Sequence, residues 1–350
     1  MTTTHFPEAP SRTRLELVRK TLFACLTSVA LLACFGKERE NPALTGGSAS
    51  TPPAAIDRVS TRSAPPSGTN ALDSYPLDNP TRVDTLPRTL DEASGLTDVS
   101  NTEVAIVQDE LGVIFVYDLK ARAVTRQVPF GAPGDYEGLT RLGETMFVLA
   151  SDGTLITVND WRGTARVERV RLDLPTSDNE GLGYDPFGDR LLVAPKSRWQ
   201  PGKTNKHLRA IFALDPKSRK LDVEPALVID VNLLIDYANA HDQDLPTKVK
   251  AKTKKGKSKV ALRFMPASIA VHPKTRDLYV ISAVDRVLAA FDRAGNVTGY
   301  AMLDAERYRQ PEGMTFLADG TLVIANEGAG EDPQLIQLRP NPAAASAGSP

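Results

Sequence analysis

Three glutamates and two serines recur at matched places along this chain. Ser94, Glu137, Glu180, Ser268 and Glu312 lie 43, 43, 88 and 44 residues apart. Four of the five are followed by glycine; the fourth segment, Ala267-Ser268-Ile269-Ala270, is not. Carboxylates and hydroxyls brought together offer only oxygen, so their chemistry is that of a hard cation, calcium or magnesium, rather than zinc. Three converging glutamates repel one another unless a cation, a raised carboxyl pKa or hydrogen bonds compensate. Such a ring reads as a divalent-cation site or as a polar small-molecule site. The structural alternative is that each group bonds backbone of the adjoining repeat and holds the assembly together.

The spacing itself dictates the elements. A period of about 40 to 50 residues built from short strands marks a β-propeller, and the interval of 88 is one repeat carrying an insertion. The second repeat is the plainest: strands over 137–142, 145–150, 154–158 and 165–172, with Asp152-Gly153 as a hairpin turn. In the third repeat the same reading puts the outer strand at 221–228. Asp118, Asp160, Asp215 and Asp292 recur where each third strand closes. The fifth repeat lacks a strand, and residues 82–86 can supply it, which removes an exposed edge. The expected fold is therefore all-β: a five-bladed propeller over 80–340, closed by an N-terminal strand, with an insertion at about 231–262.

In a propeller the first strand of each blade lines the channel. The recurring residues then ring one mouth, and second strands return to it. That places Asp109, Glu110, Asp152, Lys196, Asp285, Asn326 and Glu327 around the ring. The insertion contains a helical pattern over 231–240, then Lys248 to Lys259 with seven lysines. The lysine run reads as a solvated loop, or as a contact for an anionic lipid surface or acidic partner. Trp161 and Trp199 fall in loops after strands, where an aromatic either packs on a neighbouring blade or meets a ligand.

The first 34 residues read as an export signal. Arg12, Arg14, Arg19 and Lys20 precede an apolar run too short for an ordinary transmembrane helix. It ends Leu31-Leu32-Ala33-Cys34, a pattern similar to a bacterial lipobox, which makes Cys34 the lipidated mature N-terminus. The alternatives are an ordinary cleaved signal and a short uncleaved anchor. Phe35 rather than Asp after Cys34 points to the periplasmic side of the outer membrane in a cell with two membranes. Residues 35–79 are rich in Pro, Ser, Thr and Gly and read as a disordered stalk; 341–350 read as a loose tail.

Other chemistry is poorly served. The only cysteines, Cys25 and Cys34, lie in the signal, so the mature domain has no disulfide and no thiol nucleophile. His5 belongs to the signal, and His207, His241 and His272 fall in loops or turns without an evident nucleophile. No metalloprotease, phosphate-loop or dinucleotide pattern occurs. A formal net charge of −1 gives no global field for nucleic acid.

Ser94-Gly95-Leu96-Thr97, Glu180-Gly181-Leu182 and Pro311-Glu312-Gly313-Met314, behind a lipoprotein-like signal, resemble the SdiA-regulated (YjiK-like) propeller family. The resemblance covers about 80–340 and implies a five-bladed propeller of the bacterial envelope. The family is similar in outline to phytase-like propellers, which bind calcium and cleave phosphate esters. No catalytic residue follows from it. The leading expectation is a lipid-anchored binding module with a carboxylate-lined mouth. The competing ones are a metal-dependent hydrolase of phosphoesters or lactones, and a protein-interaction scaffold.

Overall fold

A computed structural model describes residues 69–341 except 177, 200–204 and 250–257. The signal, Cys34 and the stalk up to residue 68 lie outside the described residues, as does the tail from 342.

Five four-stranded antiparallel sheets follow one another. Blade one contains β2 (Ala93–Ser100), β3 (Glu103–Gln108), β4 (Val113–Asp118) and β5 (Ala123–Pro129). Blade two contains β6 (Tyr136–Leu142), β7 (Thr145–Ala150), β8 (Thr154–Asn159) and β9 (Arg166–Arg171). Blade three contains β10 (Asn179–Asp185), β11 (Arg190–Pro195), β12 (Leu208–Leu214) and β13 (Leu227–Asp230). Helix α1 (Val231–Ala240) and a small hairpin, β14 (Thr247–Val249) with β15 (Ser258–Val260), form the insertion. Blade four contains β16 (Ser268–Val271), β17 (Leu278–Ser282), β18 (Val287–Phe291) and β19 (Val297–Met302). Blade five contains β20 (Pro311–Phe316), β21 (Leu322–Asn326) and β22 (Gln334–Leu338), and β1 (Arg82–Thr85) pairs antiparallel outside β22.

Apolar alternation makes every blade two-faced, and each face must be buried on a neighbour. The result is five apolar cores, one between each pair of adjacent blades, including one between blades five and one. The inner strands β2, β6, β10, β16 and β20 touch in that order and β20 returns to β2, so the ring is closed. Trp161 is buried in the core between blades one and two, with the Arg162 guanidinium 4.1 Å above its ring.

The sequence reading is displaced in two places. The outer strand of blade three begins at Leu227 rather than 221, and Leu221 makes a single bridge to Leu214. Pro225 lacks the N–H that a ladder there would need. The end of the expected stalk is also folded. Asn70 caps a 3-10 turn over Ala71–Ser74 and donates to the Tyr300 carbonyl, while Leu72 and Tyr75 fill the core between blades four and five. Two large apolar groups at the end of an otherwise polar stretch suffice to dock it. The lysine run is flanked by the paired strands of the small hairpin, and Lys250 to Lys257 lie outside the described residues. Among the described residues no helix is long and apolar enough to cross a membrane.

Candidate metal centre at the channel mouth

The recurring glutamates are aimed by β-bulges. The pairing of inner with second strand slips at one residue in four blades: between Ala93 and Gly95, Tyr136 and Gly138, Asn179 and Gly181, and Pro311 and Gly313. The unpaired residue is in each case the recurring Ser or Glu. A bulge bends the strand and re-aims that side chain. The glycine after it is required by crowding. A Cβ on Gly138 would lie 2.6 Å from Leu182 Cβ and 2.7 Å from the Glu180 carbonyl, so the inner strands of blades two and three approach too closely for any other residue. Blade four carries Ile269 instead, and its ladder runs without a slip from Ser268↔Ile281 onward.

Glu137, Glu180 and Glu312 meet. Each presents a carboxylate oxygen within 4.8 Å of the other two. Glu180 is buried, and its Oε1 accepts from Lys196 Nζ at 2.5 Å. Gln310 Nε2 donates to Glu312 Oε1 at 3.1 Å. Glu327 feels the charges of Glu312, Asp109 and Glu92. Asn326, in the strand beside Glu312, donates to the Arg307 carbonyl, and its buried Oδ1 has no hydrogen-bond partner among the described residues.

The electrostatics record this crowding. Burial, then the charges of Glu180, Asp135 and Glu312, push Glu137 up to about 9. Burial also raises Glu180, to about 7, against the opposing pull of Lys196. Glu327 lies well above the carboxylate range, through burial and the neighbouring Glu312. Lys196 is held above its ordinary value, because Glu180, Glu312 and Asp178 outweigh its own burial. One lysine therefore faces several carboxylates, and without a further cation the ring retains protons at neutral pH.

Other predicted residues have different occupations. Ser94 is buried and its Oγ donates to the Tyr136 carbonyl at 2.6 Å, stitching blade one to blade two. Ser268 is buried in its regular pair. Asp152 is exposed, accepts the Thr154 N–H and pairs with Arg171. Asp285 is buried and accepts the Phe264 N–H at 2.7 Å and the Ser282 hydroxyl at 3.0 Å, with Arg263 beside it. Neither belongs to the glutamate cluster. Sequence reasoning passed over Asp135, Asp178 and Glu92, which add negative charge around it. The signal was present: each stands two residues before a recurring Ser or Glu.

An oxygen-only set of this span fits calcium. Calcium takes oxygen ligands at about 2.3–2.6 Å, so carboxylate oxygens within 4.8 Å of one another stand close to the spread that one such ion would draw together. Glu137, Glu180 and Glu312 would hold it.

A model of the SdiA-regulated family matches residues 81–329. Among curated proteins, none matches the sequence. Solved structures of similar shape include Myxococcus xanthus glutaminyl cyclase, 13% identical, with a TM-score of 0.49 over 75% of this chain and 95% of that one. A streptogramin B lyase is 13% identical, with a TM-score of 0.42 over 74% and 97%.

Proposed function

The chain belongs to the SdiA-regulated family, and we propose that it is an envelope-anchored binding module whose channel mouth takes up a calcium-type divalent cation. The observation that supports this reading is the meeting of Glu137, Glu180 and Glu312 within 4.8 Å, beside a single lysine. The lipid on Cys34, the periplasmic face of the outer membrane and the contact of the Lys248–Lys259 run with anionic lipid or an acidic partner belong to the same proposal and rest on sequence.

Thermal unfolding of the full-length protein in EDTA, calcium and magnesium tests the site. A ligand of the native state at about one hundred times its Kd adds about 2.7 kcal/mol, which in a domain of this size raises Tm by about 5–10 °C. Calcium should give that rise in wild type and not in Glu180→Gln. A wild type indifferent to both cations, with a variant that only melts lower, would make the ring architectural and turn attention to a scaffold role.

A hydrolase is the second reading, favoured by Glu180. A carboxyl near pH 7, beside a carboxyl raised to about 9, has the divergent pair of pKa values that acid–base chemistry uses. A bound cation would polarise a phosphoryl or carbonyl oxygen, and a glutamate of the cluster not engaged on the ion would take the proton of an attacking water. Turnover of phosphoesters or lactones that is lost in a folded Glu180→Gln would select this reading.

A further inference from the structure

A second site lies on the other side of Lys196. A cavity of about 1180 Å³ opens between the loops of blade three, α1 and the segment leading into β16. Six cationic side chains line it: Arg171, Lys196, Arg198, Lys206, Arg209 and Arg263. Among the described residues no carboxylate does. Three of the six are compensated from outside the cavity, Arg171 by Asp152, Lys196 by Glu180 and Arg263 by Asp285. The other three are not. Among the described residues, Arg198 and Lys206 form no ion pair.

Arg209 is the most telling. It is 4% exposed, and its guanidinium donates only to backbone carbonyls, those of Phe264, Lys206, Leu208 and Arg263. Its positive charge is thus held in the wall by carbonyl dipoles without a direct ion pair, Asp285 being the carboxylate whose charge reaches it. Burial and the nearby Arg198 press against its charged form, and the charge of Asp285 offsets them only in part. Three cations without a direct ion pair around one cavity favour the arrival of an anion. The remaining wall mixes apolar groups, among them Trp199, Ile235, Leu262 and Met265, with the polar Thr176, Ser197, His207 and Asn232.

We propose that this cavity binds an amphiphilic organic anion, its oxyanion group held by Arg198, Lys206 and Lys196 and its apolar body laid against Trp199, Ile235 and Leu262. Guanidinium and ammonium groups are the usual partners of carboxylate, sulfonate and phosphate oxygens, and an apolar pocket with a few convergent polar groups is the common form of a small-molecule site. The cation at the mouth is not required. Lys196 touches both places, so occupancy of one should be felt at the other.

The test uses full-length protein and the fluorescent probe anilinonaphthalene sulfonate, titrated in EDTA. We expect saturable one-to-one binding, weakened about tenfold or more in Arg198→Glu/Lys206→Glu, both exposed positions, with Tm unchanged. The uncharged analogue N-phenylnaphthylamine should be insensitive to the same change and should lose affinity in Trp199→Ala. Inorganic phosphate and decanoate serve as competitors: displacement by phosphate assigns a phosphorylated ligand, displacement by decanoate a carboxylated one. A probe Kd within twofold of wild type after charge reversal overturns the proposal, as does failure of both competitors to displace it. Repeating the titration in calcium separates the two sites, because failure of the cation site leaves probe binding in EDTA intact.

Discussion

At one end of β10, Asp185 is fully buried between Arg190 and Arg293, with Nε of Arg190 at 3.1 Å and an Nη of Arg293 at 2.6 Å, and it accepts the Phe187 N–H. At the other end, Glu180 is buried among carboxylates with one lysine. Burial raises the proton affinity of both. At Asp185 the two guanidinium groups reverse that effect and hold the carboxyl below its ordinary range; at Glu180 the single lysine opposes burial without reversing it. One strand therefore carries a finished structural ion cluster at one end and an unfinished one at the other. The difference lies in who compensates the charge, not in depth.

Removing Asp185 should produce the largest effect. Asp185→Asn leaves two guanidinium groups facing a neutral amide, and breaking a buried pair from one side costs about 3 kcal/mol. Chemical denaturation should show that loss with the calcium response intact. A loss that instead removed the calcium response would erase the distinction between the two ends.

The two ends also predict opposite pH dependence. The depressed pKa of Asp185 gives stability that is present above the ordinary carboxylate range and lost as pH falls through its folded value. Glu137 is raised to about 9, so the folded, ion-free protein holds a proton the unfolded chain has released. That contribution is present below about pH 4.5 and is lost as pH rises through about 9. In EDTA, wild type should lose about 1–3 kcal/mol between pH 6 and 8. Glu137→Gln, which cannot ionise, should flatten that slope, and denaturation curves at the two pH values measure it. An unchanged slope would mean that water already screens the cluster.

Legibility in the sequence divides along the same line. Glu137, Glu180 and Glu312 were readable because bulge and close approach demand a glycine after them, and a repeated Glu-Gly shows in one dimension. Asp152 and Asp285 stand at matching distances from the motif, yet their partners, Arg171 and Arg263, come from other strands and loops. A spacing argument ranks them with Lys196 because it cannot see those partners. Residues 70–79 were misread because composition is averaged over a window and docking is decided by Leu72 and Tyr75 alone. The basic cavity left no trace at all: its cations come from four separate segments, none of them charged enough to notice.

His272 carries the comparison to its smallest case, a buried titratable group that is finished without any charge. Asp118 and Asp215 each accept two N–H groups two and three residues on, and Arg122 and Arg219 close the turn at φ 58° with bonds back to the Asp carbonyls of 2.8 and 2.9 Å. His272 builds the same turn. Its Nδ1 accepts from Lys274 and Thr275, and Arg276, at φ 69°, closes on its carbonyl at 3.0 Å. The exchange of Asp for His follows from the setting, since the ring lies 4.9 Å from Phe316 and 5.8 Å from Tyr279, where a carboxylate would be poorly solvated. Nδ1 must stay unprotonated to accept, and burial with Lys274 nearby lowers the pKa to about 4. The stability this lends is present above pH 6.5 and is lost as pH falls through about 4. At pH 5.5 the loss should be about 1 kcal/mol. His272→Asn keeps an acceptor for the same N–H groups and cannot titrate. Its stability relative to wild type should therefore rise by about 1 kcal/mol from pH 6.5 to 5.5, since every other titrating group is common to both. Equal decline in both would place the acid sensitivity elsewhere, with the paired carboxylates of the Asp185 type as its source.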